Sequence, residues 1–302
     1  MTRKDLALLY PLFAIVLWAG NVIVSRLSAH TIGPQAITFY RLLLAVAVLS
    51  LFVGASAWRN RTVLWAHLGQ FAILGFLSMC LFQSLSYLAA SSTTATNMAI
   101  FTALIPLLSI VLSVVLLGTA PTRGMCIGGV ISLAGLFYLV SEGAPSAIWH
   151  NGLHNGDALM FLAALDYALY GVLLKRWQLP VTGWHSTYMQ ALCALAMMFP
   201  AWLATPPELR ELNAQTLPLI AYAGIGSSVL LTFLWIRGVH HLGPNRCSIF
   251  LNLLPVFTAA AAIVILGEPL HLYHIVGGGL ALLGVACAQL FQSPLKHRPS
   301  GI

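Results

Sequence analysis

The chain has 302 residues, of which 59% are hydrophobic and only 7% are charged, whereas an ordinary soluble domain has about 25% charged residues. This composition excludes a soluble enzyme, and it excludes a disordered chain, which needs low hydrophobicity and high charge. The formal net charge of +7 comes from basic residues scattered between apolar runs, so a nucleic-acid partner is excluded as well. The composition indicates an integral membrane protein.

Ten apolar segments are long enough to cross a bilayer. A crossing helix needs about 20 mainly apolar residues, because the hydrocarbon core is roughly 30 Å thick and does not tolerate unpaired backbone groups. The first segment is too long for a signal peptide, and no A-x-A cleavage pattern follows it. The predicted membrane helices lie near residues 6–27, 34–54, 67–89, 93–117, 124–141, 155–174, 184–204, 217–237, 244–266 and 270–291.

Basic residues in the connections predict the orientation, because short cytoplasmic loops retain Lys and Arg. With the N-terminus inside, Arg26 and Arg210 lie outside, Arg41 lies within a span, and the other 11 of the 14 basic residues lie on the cytoplasmic side. Both termini are therefore predicted to be cytoplasmic, in a bacterial-type inner (plasma) membrane that the chain crosses many times.

The two halves of the sequence repeat each other at an offset of 149 positions without a gap. The matched positions include Pro106 and Pro255, Gly128 and Gly277, Gly135 and Gly284, Ser78 and Ser227, and the basic pair Arg26 and Lys175. Because five helices is an odd number, the second copy enters the membrane in the opposite sense, and such inverted repeats are typical of transporters. We predict a first repeat over 1–145, a second repeat over 150–292 and a cytoplasmic tail over 293–302.

Both copies share a set of motifs. Each has a proline in its fourth helix, and the second copy continues with Leu266-Gly267-Glu268-Pro269 and a glycine-rich last helix, whereas the first copy has Thr119 in place of the acid. With Trp18-Ala19-Gly20-Asn21 and Tyr40-Arg41, the chain resembles the EamA family of the drug/metabolite transporter superfamily. The resemblance implies an all-α membrane fold of ten helices in two inverted five-helix repeats. It also implies an exporter of small metabolites with a central cavity, the best-known relatives being amino-acid exporters such as YddG.

Two charged side chains lie deep within predicted spans, where an ionisable group is costly and therefore a functional candidate. Asp166 lies near the middle of the sixth span, and Arg41 lies in the second. Asp166 either binds a substrate ammonium, or takes up a proton coupled to export, or forms a structural ion pair with Arg41. A cationic or zwitterionic cargo favours a role for Asp166, and an acidic cargo favours Arg41.

Aromatic and amide side chains are expected to line a cavity for an amphipathic metabolite, since rings supply apolar area and amides fix orientation. The expected substrate-binding residues, together with Asp166, are Trp18, Asn21, Tyr87, Asn97, Tyr167, Tyr170, Trp235 and Asn252. The alternative is core or interfacial packing for the rings and interhelical hydrogen bonding for the amides.

Prolines and glycines within the spans have expected mechanical roles. Pro106 and Pro255 each remove a backbone donor, which predicts a hinge, with a static kink as the alternative. Close helix packing is expected at the glycines of the fifth and tenth spans, which are Gly128, Gly129, Gly135, Gly277, Gly278, Gly279 and Gly284.

Together these patterns predict a secondary transporter that exports a small amphipathic metabolite, such as an amino acid or a related compound, by alternating access. Proton coupling is left open, as are an uncoupled facilitator and a drug or metallophore exporter of the same fold. The sequence has no HExxH, G-x-S-x-G or P-loop motif, which disfavours a membrane-embedded enzyme; a receptor is a further alternative. No metal or cofactor is expected. The expected partners are a small-molecule substrate and the lipid bilayer, with a monomer favoured and a dimer left open.

Overall fold

The structure, a computed structural model, describes residues 3–120, 122–144, 154–242, 247 and 250–291. These residues form ten apolar helices, and no β-strand occurs among them. The helices are α1 (Arg3–Ser28), α2 (Pro34–Arg59), α3 (Leu68–Ala89), α4 (Ala95–Leu117), α5 (Arg123–Val140), α6 (Asn155–Trp177), α7 (Gly183–Ala204), α8 (Thr216–Leu242), α9 (Phe250–Leu266) and α10 (Leu272–Leu290).

The ten-helix prediction is confirmed. Nine of these helices are long and apolar enough to cross a membrane, and α9 is a shorter apolar helix in the described part of the chain. Helices α2 and α8 extend to Arg59 and Leu242, beyond the predicted ends at 54 and 237, because backbone hydrogen bonding continues where the apolar run stops. The predicted repeat boundaries at 145 and 150 and the predicted tail over 293–302 lie outside the described residues.

Local sequence signals fix several helix ends. The hydroxyl groups of Thr94, Thr122 and Thr182 cap α4, α5 and α7 by accepting a backbone N–H of the first turn, as N-cap residues do. Helices α4 and α9 end at Gly118 and Gly267, which have left-handed φ angles of 66° and 65°. A side chain at either position would strain the backbone, so both helix ends require glycine.

Helices α4 and α9 are both interrupted just before their prolines. In α4 the regular helix stops at Ala103 and resumes at Ile105, one residue before Pro106. In α9 a 3₁₀ turn over Phe250–Leu253 precedes the α-helical segment that contains Pro255. A proline lacks the N–H donor and its ring crowds the preceding turn, which accounts for both breaks. The kinks are thus present in both repeats, and their movement as hinges stays a prediction.

Helices α5 and α10 join the two repeats by packing glycine against glycine. A Cβ atom added to Gly128 would lie 2.3 Å from the carbonyl oxygen of Gly284, and one added to Gly135 would lie 2.6 Å from that of Gly277. The 149-residue offset converts the first of these contacts into the second. The contact therefore has the two-fold pseudosymmetry that an inverted repeat requires.

The centre of this helix pair is marked by one hydrogen bond. The Ser132 hydroxyl donates to the carbonyl oxygen of Ala281 over 2.7 Å, and these two residues are themselves 149 positions apart. The bond therefore lies on the pseudo-two-fold axis. The expectation of close packing is wrong for Gly129 and Gly279, whose added Cβ atoms would meet no atom of the described residues within 4 Å, because these two glycines lie off the contact face of their helices.

Candidate functional site

A cavity of about 570 Å³ lies between the two repeats. Its walls come from α1, α2 and α3 of the first half and from α6, α7 and α8 of the second. This volume is within the range of about 300–1,000 Å³ that small-molecule pockets occupy. The cavity is therefore large enough for a metabolite, and both halves of the chain contribute to it.

Two π-helical segments form part of the cavity wall. The segment Phe76–Leu81 of α3 contributes Ser78, and the segment Tyr222–Leu230 of α8 contributes Ser227 and Ser228. Ser78 and Ser227 are equivalent under the 149-residue offset. Short π-helical stretches inside α-helices often occur at functional sites, and here they occur at equivalent places in both repeats. The repeat pattern identifies this serine pair, but nothing in the sequence marks it as part of a cavity wall.

Aromatic rings cover one side of the cavity. Trp18 of α1 meets Tyr167 of α6 edge to face at 6.0 Å between ring centroids, and Tyr167 lies 5.2 Å from Tyr170. Phe82 and Trp235 also line the cavity. The predicted residues Trp18, Tyr167, Tyr170 and Trp235 are thus brought together around one space, and their contact with substrate stays a prediction.

Arg41 lies at the cavity wall in a shell of neutral partners. Its side chain is only 5% exposed. Its guanidinium donates to the Gln83 side-chain oxygen at 2.6 Å, to the Tyr87 hydroxyl at 3.2 Å and to the Ser228 hydroxyl at 3.0 and 3.3 Å. Tyr87, predicted to contact substrate, does not itself line the cavity and instead holds Arg41 from behind.

Arg41 and Asp166 form no salt bridge among the described residues in this conformation, and the role of each stays a prediction. Arg41 is bound by residues of α3 and α8, and the one salt bridge among the described residues does not involve it. Asp166 is 8% exposed, does not line the cavity, and its Oδ2 atom has no hydrogen-bond partner among the described residues. The sequence places both residues at similar depths within their predicted spans. Depth does not specify the direction in which each side chain points from its helix.

The three predicted amides have three different environments. Asn21 lines the cavity, and its buried Oδ1 atom has no hydrogen-bond partner in the described part of the chain. Asn97 lies away from the cavity and donates to the Asp157 carboxylate at 3.3 Å. Asn252 also lies away from it, with a buried and unpartnered Oδ1 atom among the residues described. The kink prolines Pro106 and Pro255 are likewise absent from the cavity wall.

One end of the helical bundle is closed by an ion pair between the two repeats. Arg26, in the last turn of α1, contacts Glu268 at 3.1 Å and also donates to the Ala90 carbonyl oxygen. The Glu268 carboxylate in turn accepts the backbone N–H of Ala95 at 3.0 and 3.1 Å. We call these four residues the latch, and the end of the bundle that carries them the latched end. The sequence placed Arg26 and Glu268 on the same side of the membrane but gave no sign that they touch.

A second set of contacts covers the latched end. The backbone N–H of Gly33 donates to the Leu209 carbonyl oxygen at 2.7 Å, and the Tyr40 hydroxyl donates to the Arg210 carbonyl oxygen at 2.9 Å. The Arg210 guanidinium lies 4.7 Å from the ring centroid of Trp202. The connection between α7 and α8 is thus held over the connection between α1 and α2.

The opposite end is open to the cavity. Gln178, Leu179 and Val181, in the connection between α6 and α7, line the cavity, whereas none of its lining residues comes from the connections at the latched end. An adjacent depression of about 500 Å³ shares Leu179 and Val181 with it. We call this end the open end, and on the basis of the basic residues it is the end predicted to face the cytoplasm.

Comparisons with known proteins agree with this architecture. The sequence profile of the EamA-like transporter family matches residues 5–141 and again residues 154–289. The chain is 25% identical over 268 residues to YyaM of Bacillus subtilis (strain 168), named an uncharacterized transporter, with 87% of this chain and 88% of YyaM covered. It is 27% identical over 286 residues to an uncharacterized transporter of Archaeoglobus fulgidus, with 90% and 93% covered.

Proteins with lower sequence identity also match over nearly the whole chain. A WAT1-related protein of Arabidopsis thaliana is 22% identical over 320 residues, with 92% of this chain and 84% of that protein covered. A crystal structure matches with a TM-score of 0.61 at 19% identity and covers 94% of this chain and 96% of its own, which is a likeness of fold alone. With the family profile matched in both halves, the chain belongs to the EamA-like transporter family and is a multi-pass membrane transporter.

Proposed function

We propose that the protein is a secondary transporter that exports small amphipathic metabolites, such as amino acids or related compounds, by alternating access. The observation that carries this proposal is a cavity between the inverted repeats that reaches one end of the bundle and is closed at the other. In this conformation a substrate enters from the open end. If that end faces the cytoplasm, loading occurs inside the cell and release outside.

Alternating access requires a second conformation, closed at the open end and open at the latched end. Two similar repeats of opposite orientation supply it, because exchanging their conformations gives a state of comparable energy. The repeats over 1–145 and 150–292 are the proposed moving units, and the breaks before Pro106 and Pro255 are the proposed hinges. One chain supplies both repeats around the cavity, which supports a monomer as the working unit.

Asp166 is the proposed site of proton coupling. Its carboxyl group is buried next to Tyr167 of the cavity wall, and its Oδ2 atom has no hydrogen-bond partner among the described residues. Burying a charged carboxylate costs more free energy than burying a protonated carboxyl group, so the cost of burying Asp166 depends on its protonation. A conformational change that exposes this side of α6 to water would therefore be coupled to the protonation of Asp166.

The test is flux through the purified protein in proteoliposomes, measured with a panel of labelled amino acids and related metabolites under an imposed pH gradient. We expect saturable flux that the gradient accelerates, and flux in Asp166→Asn that no longer responds to the gradient. Glu211→Gln, which removes an exposed acid in the connection between α7 and α8, is the matched control. Flux of wild type and Asp166→Asn with the same gradient response contradicts the coupling role, and absence of saturable flux for every compound contradicts the transport proposal.

The proposed location is the inner membrane of a bacterial-type cell, with both termini and the tail over 293–302 in the cytoplasm. The basic residues near the open end support this orientation, since short cytoplasmic connections retain Lys and Arg. A C-terminal fusion to an enzyme that is active only in the periplasm tests it. We expect no activity from this fusion, and full activity would reverse the assigned orientation and with it the direction of transport.

A further inference from the structure

The charge of the cavity wall is set by one residue. Among the described residues that line the cavity, Arg41 is the one that carries a formal charge, and none is acidic. Asp166 lies outside this lining. A cationic ligand inside the cavity would therefore meet no carboxylate among the described lining residues.

The charge of Arg41 is also uncompensated. Its four hydrogen bonds go to the neutral groups of Gln83, Tyr87 and Ser228, and a guanidinium carries five N–H donors in a fixed planar fork. The neutral partners hold the fork in place without cancelling its charge. A cation buried at membrane depth is costly unless an anion accompanies it, and no carboxylate in the part of the chain that the structure describes forms a salt bridge with Arg41.

Two further polar atoms at the cavity wall lack partners. The Ser227 hydroxyl, beside the Ser228 that holds Arg41, and the Asn21 Oδ1 atom are both buried without a hydrogen-bond partner among the described residues. Buried polar atoms in proteins are normally hydrogen-bonded, so each such exception requires an explanation. Here a ligand oxygen that accepts from Ser227 would satisfy that hydroxyl.

The rest of the wall suits an apolar body. Trp18, Tyr167, Tyr170 and Trp235 present rings to the cavity, and rings of this kind bind flat or aliphatic groups through buried area. With a volume of about 570 Å³, the cavity accommodates a compound with one ring system and a short polar chain.

The geometry points to a substrate class within the transport function proposed above: small organic monoanions, whose carboxylate binds at Arg41 and Ser227 and whose apolar body packs against the aromatic rings. Arg41 is then the residue that determines specificity by charge. The four bonds leave one of the five guanidinium N–H donors free, and that donor is available to a carboxylate oxygen in a charge-assisted hydrogen bond. A phosphate monoester, with close to two negative charges, would lack a second cation at the wall.

The experiment compares three compounds of nearly equal shape and different charge: 3-phenylpropionate, 3-phenylpropionamide and 3-phenylpropylamine. Binding to the purified protein in lipid nanodiscs is followed through tryptophan fluorescence, since Trp18 and Trp235 line the cavity. We expect the carboxylate to bind at least about tenfold more tightly than the amide, as charged hydrogen bonds to a carboxylate imply, and the amine more weakly still.

Substitutions test which side chain causes the preference for the carboxylate. Arg41→Gln is expected to bind the carboxylate and the amide equally, and Arg41→Lys is expected to retain part of the preference because it keeps the charge and loses the fork. Ser227→Ala leaves every partner of Arg41 in place and is expected to weaken carboxylate binding by about threefold to tenfold. Arg59→Gln, at the exposed end of α2, is the matched control and is expected to behave as wild type.

Binding of the amide or the amine at least as tightly as the carboxylate overturns this assignment, as does the absence of saturable carboxylate binding to wild type. An unchanged preference in folded Arg41→Gln also overturns it. Flux of the same compounds in proteoliposomes separates the two proposals. Saturable binding without flux contradicts transport and leaves the anion site standing, whereas flux with the opposite charge preference contradicts the anion site and leaves transport standing.

Discussion

The two ends of the bundle occupy equivalent positions in the repeat and are built differently. At the latched end, Arg26 pairs with Glu268. The 149-residue offset places Lys175 and Thr119 at the corresponding positions of the open end, where Lys175 is exposed and has no salt bridge among the described residues. The cavity reaches the end that lacks the pair.

A duplicated fold therefore need not have two equally stable states. The backbone design of the repeats is shared, down to the glycine contacts and the interruptions before the prolines. The Glu268 carboxylate bonds Arg26 and the first turn of α4. It therefore gives the two conformations an energy difference that the shared backbone does not. We infer that the latch favours the conformation in which the latched end is closed.

The greatest loss of stability is expected from disrupting the glycine contact between α5 and α10, which is common to both repeats. In Gly284→Val the new Cβ atom would lie 2.3 Å from the Gly128 carbonyl oxygen and 2.5 Å from the Ser132 nitrogen. Since those neighbours are backbone atoms that cannot turn away, we expect a loss of about 3 kcal/mol, at the upper end for overpacking. Thermal unfolding in detergent micelles measures it. Gly279→Val, at a glycine with open space, is the control, and equal destabilisation of the two variants would contradict the packing role.

Removing the latch is expected to have the next largest effect. Glu268→Ala leaves Arg26 without its carboxylate and Ala95 without an acceptor for its N–H. Because Arg26 is 27% exposed, we expect about 2 kcal/mol, less than for a fully buried pair. That corresponds to roughly 30-fold faster hydrogen exchange of the amides over 88–95, with slower exchange over 178–183 as the open end closes.

The matched control for the latch is Glu208→Ala, which removes an exposed acid in the connection between α7 and α8. It is expected to leave exchange unchanged at both ends. If Glu268→Ala accelerates exchange at both ends to the same extent, the latch contributes to general stability and not to the balance between the two conformations.

A smaller effect is expected from the hydrogen bond on the axis. Ser132→Ala removes the bond to the Ala281 carbonyl oxygen, and a single interhelical hydrogen bond in a membrane contributes about 1 kcal/mol or less. Because the bond lies between the two ends, the variant should lower the thermal unfolding temperature without shifting exchange from one end to the other. Ser113→Ala, which removes a bond within α4 alone, is the comparison, and an unequal change at the two ends would place the bond off the axis.

The weakest change is expected from adding a carboxylate at the open end. Thr119→Glu places a carboxylate at the position equivalent to Glu268, opposite Lys175 in the second conformation. An exposed ion pair contributes little, so we expect exchange over 178–183 to slow by about threefold or less. The variant Thr119→Val has a similar size and no charge, and an equal change in it would show that charge is not the cause.

Much of the fold follows from the sequence because its signals are local. Apolar runs of membrane length and positive-φ glycines at Gly118 and Gly267 each determine nearby backbone, and the constant offset relates one half to the other. Asp166 and Arg41 show what local sequence signals do not predict. Their depth along each helix was readable, but the neighbours that meet each side chain depend on how six helices pack around the cavity.

The serines of the cavity wall are the hardest of its residues to recognise from the sequence. The Ser78 hydroxyl donates to the Leu74 carbonyl oxygen within its own helix, a common habit of serine in apolar segments. A serine at the cavity wall therefore looks like any other serine in a span. The pairing of Arg26 with Glu268 is hidden for another reason, since 242 positions separate the two residues.

The glycine contact between α5 and α10 also has a consequence for ancestry. Each half carries both sides of this surface, since Gly128 and Gly135 in one half meet the counterparts of Gly135 and Gly128 in the other. A self-complementary surface of this kind suits two separate copies of one five-helix protein related by a two-fold axis. Fusion of such copies into one gene releases each from having to match the other. At the equivalent positions 119 and 268 the two halves now carry different residues, Thr119 and Glu268.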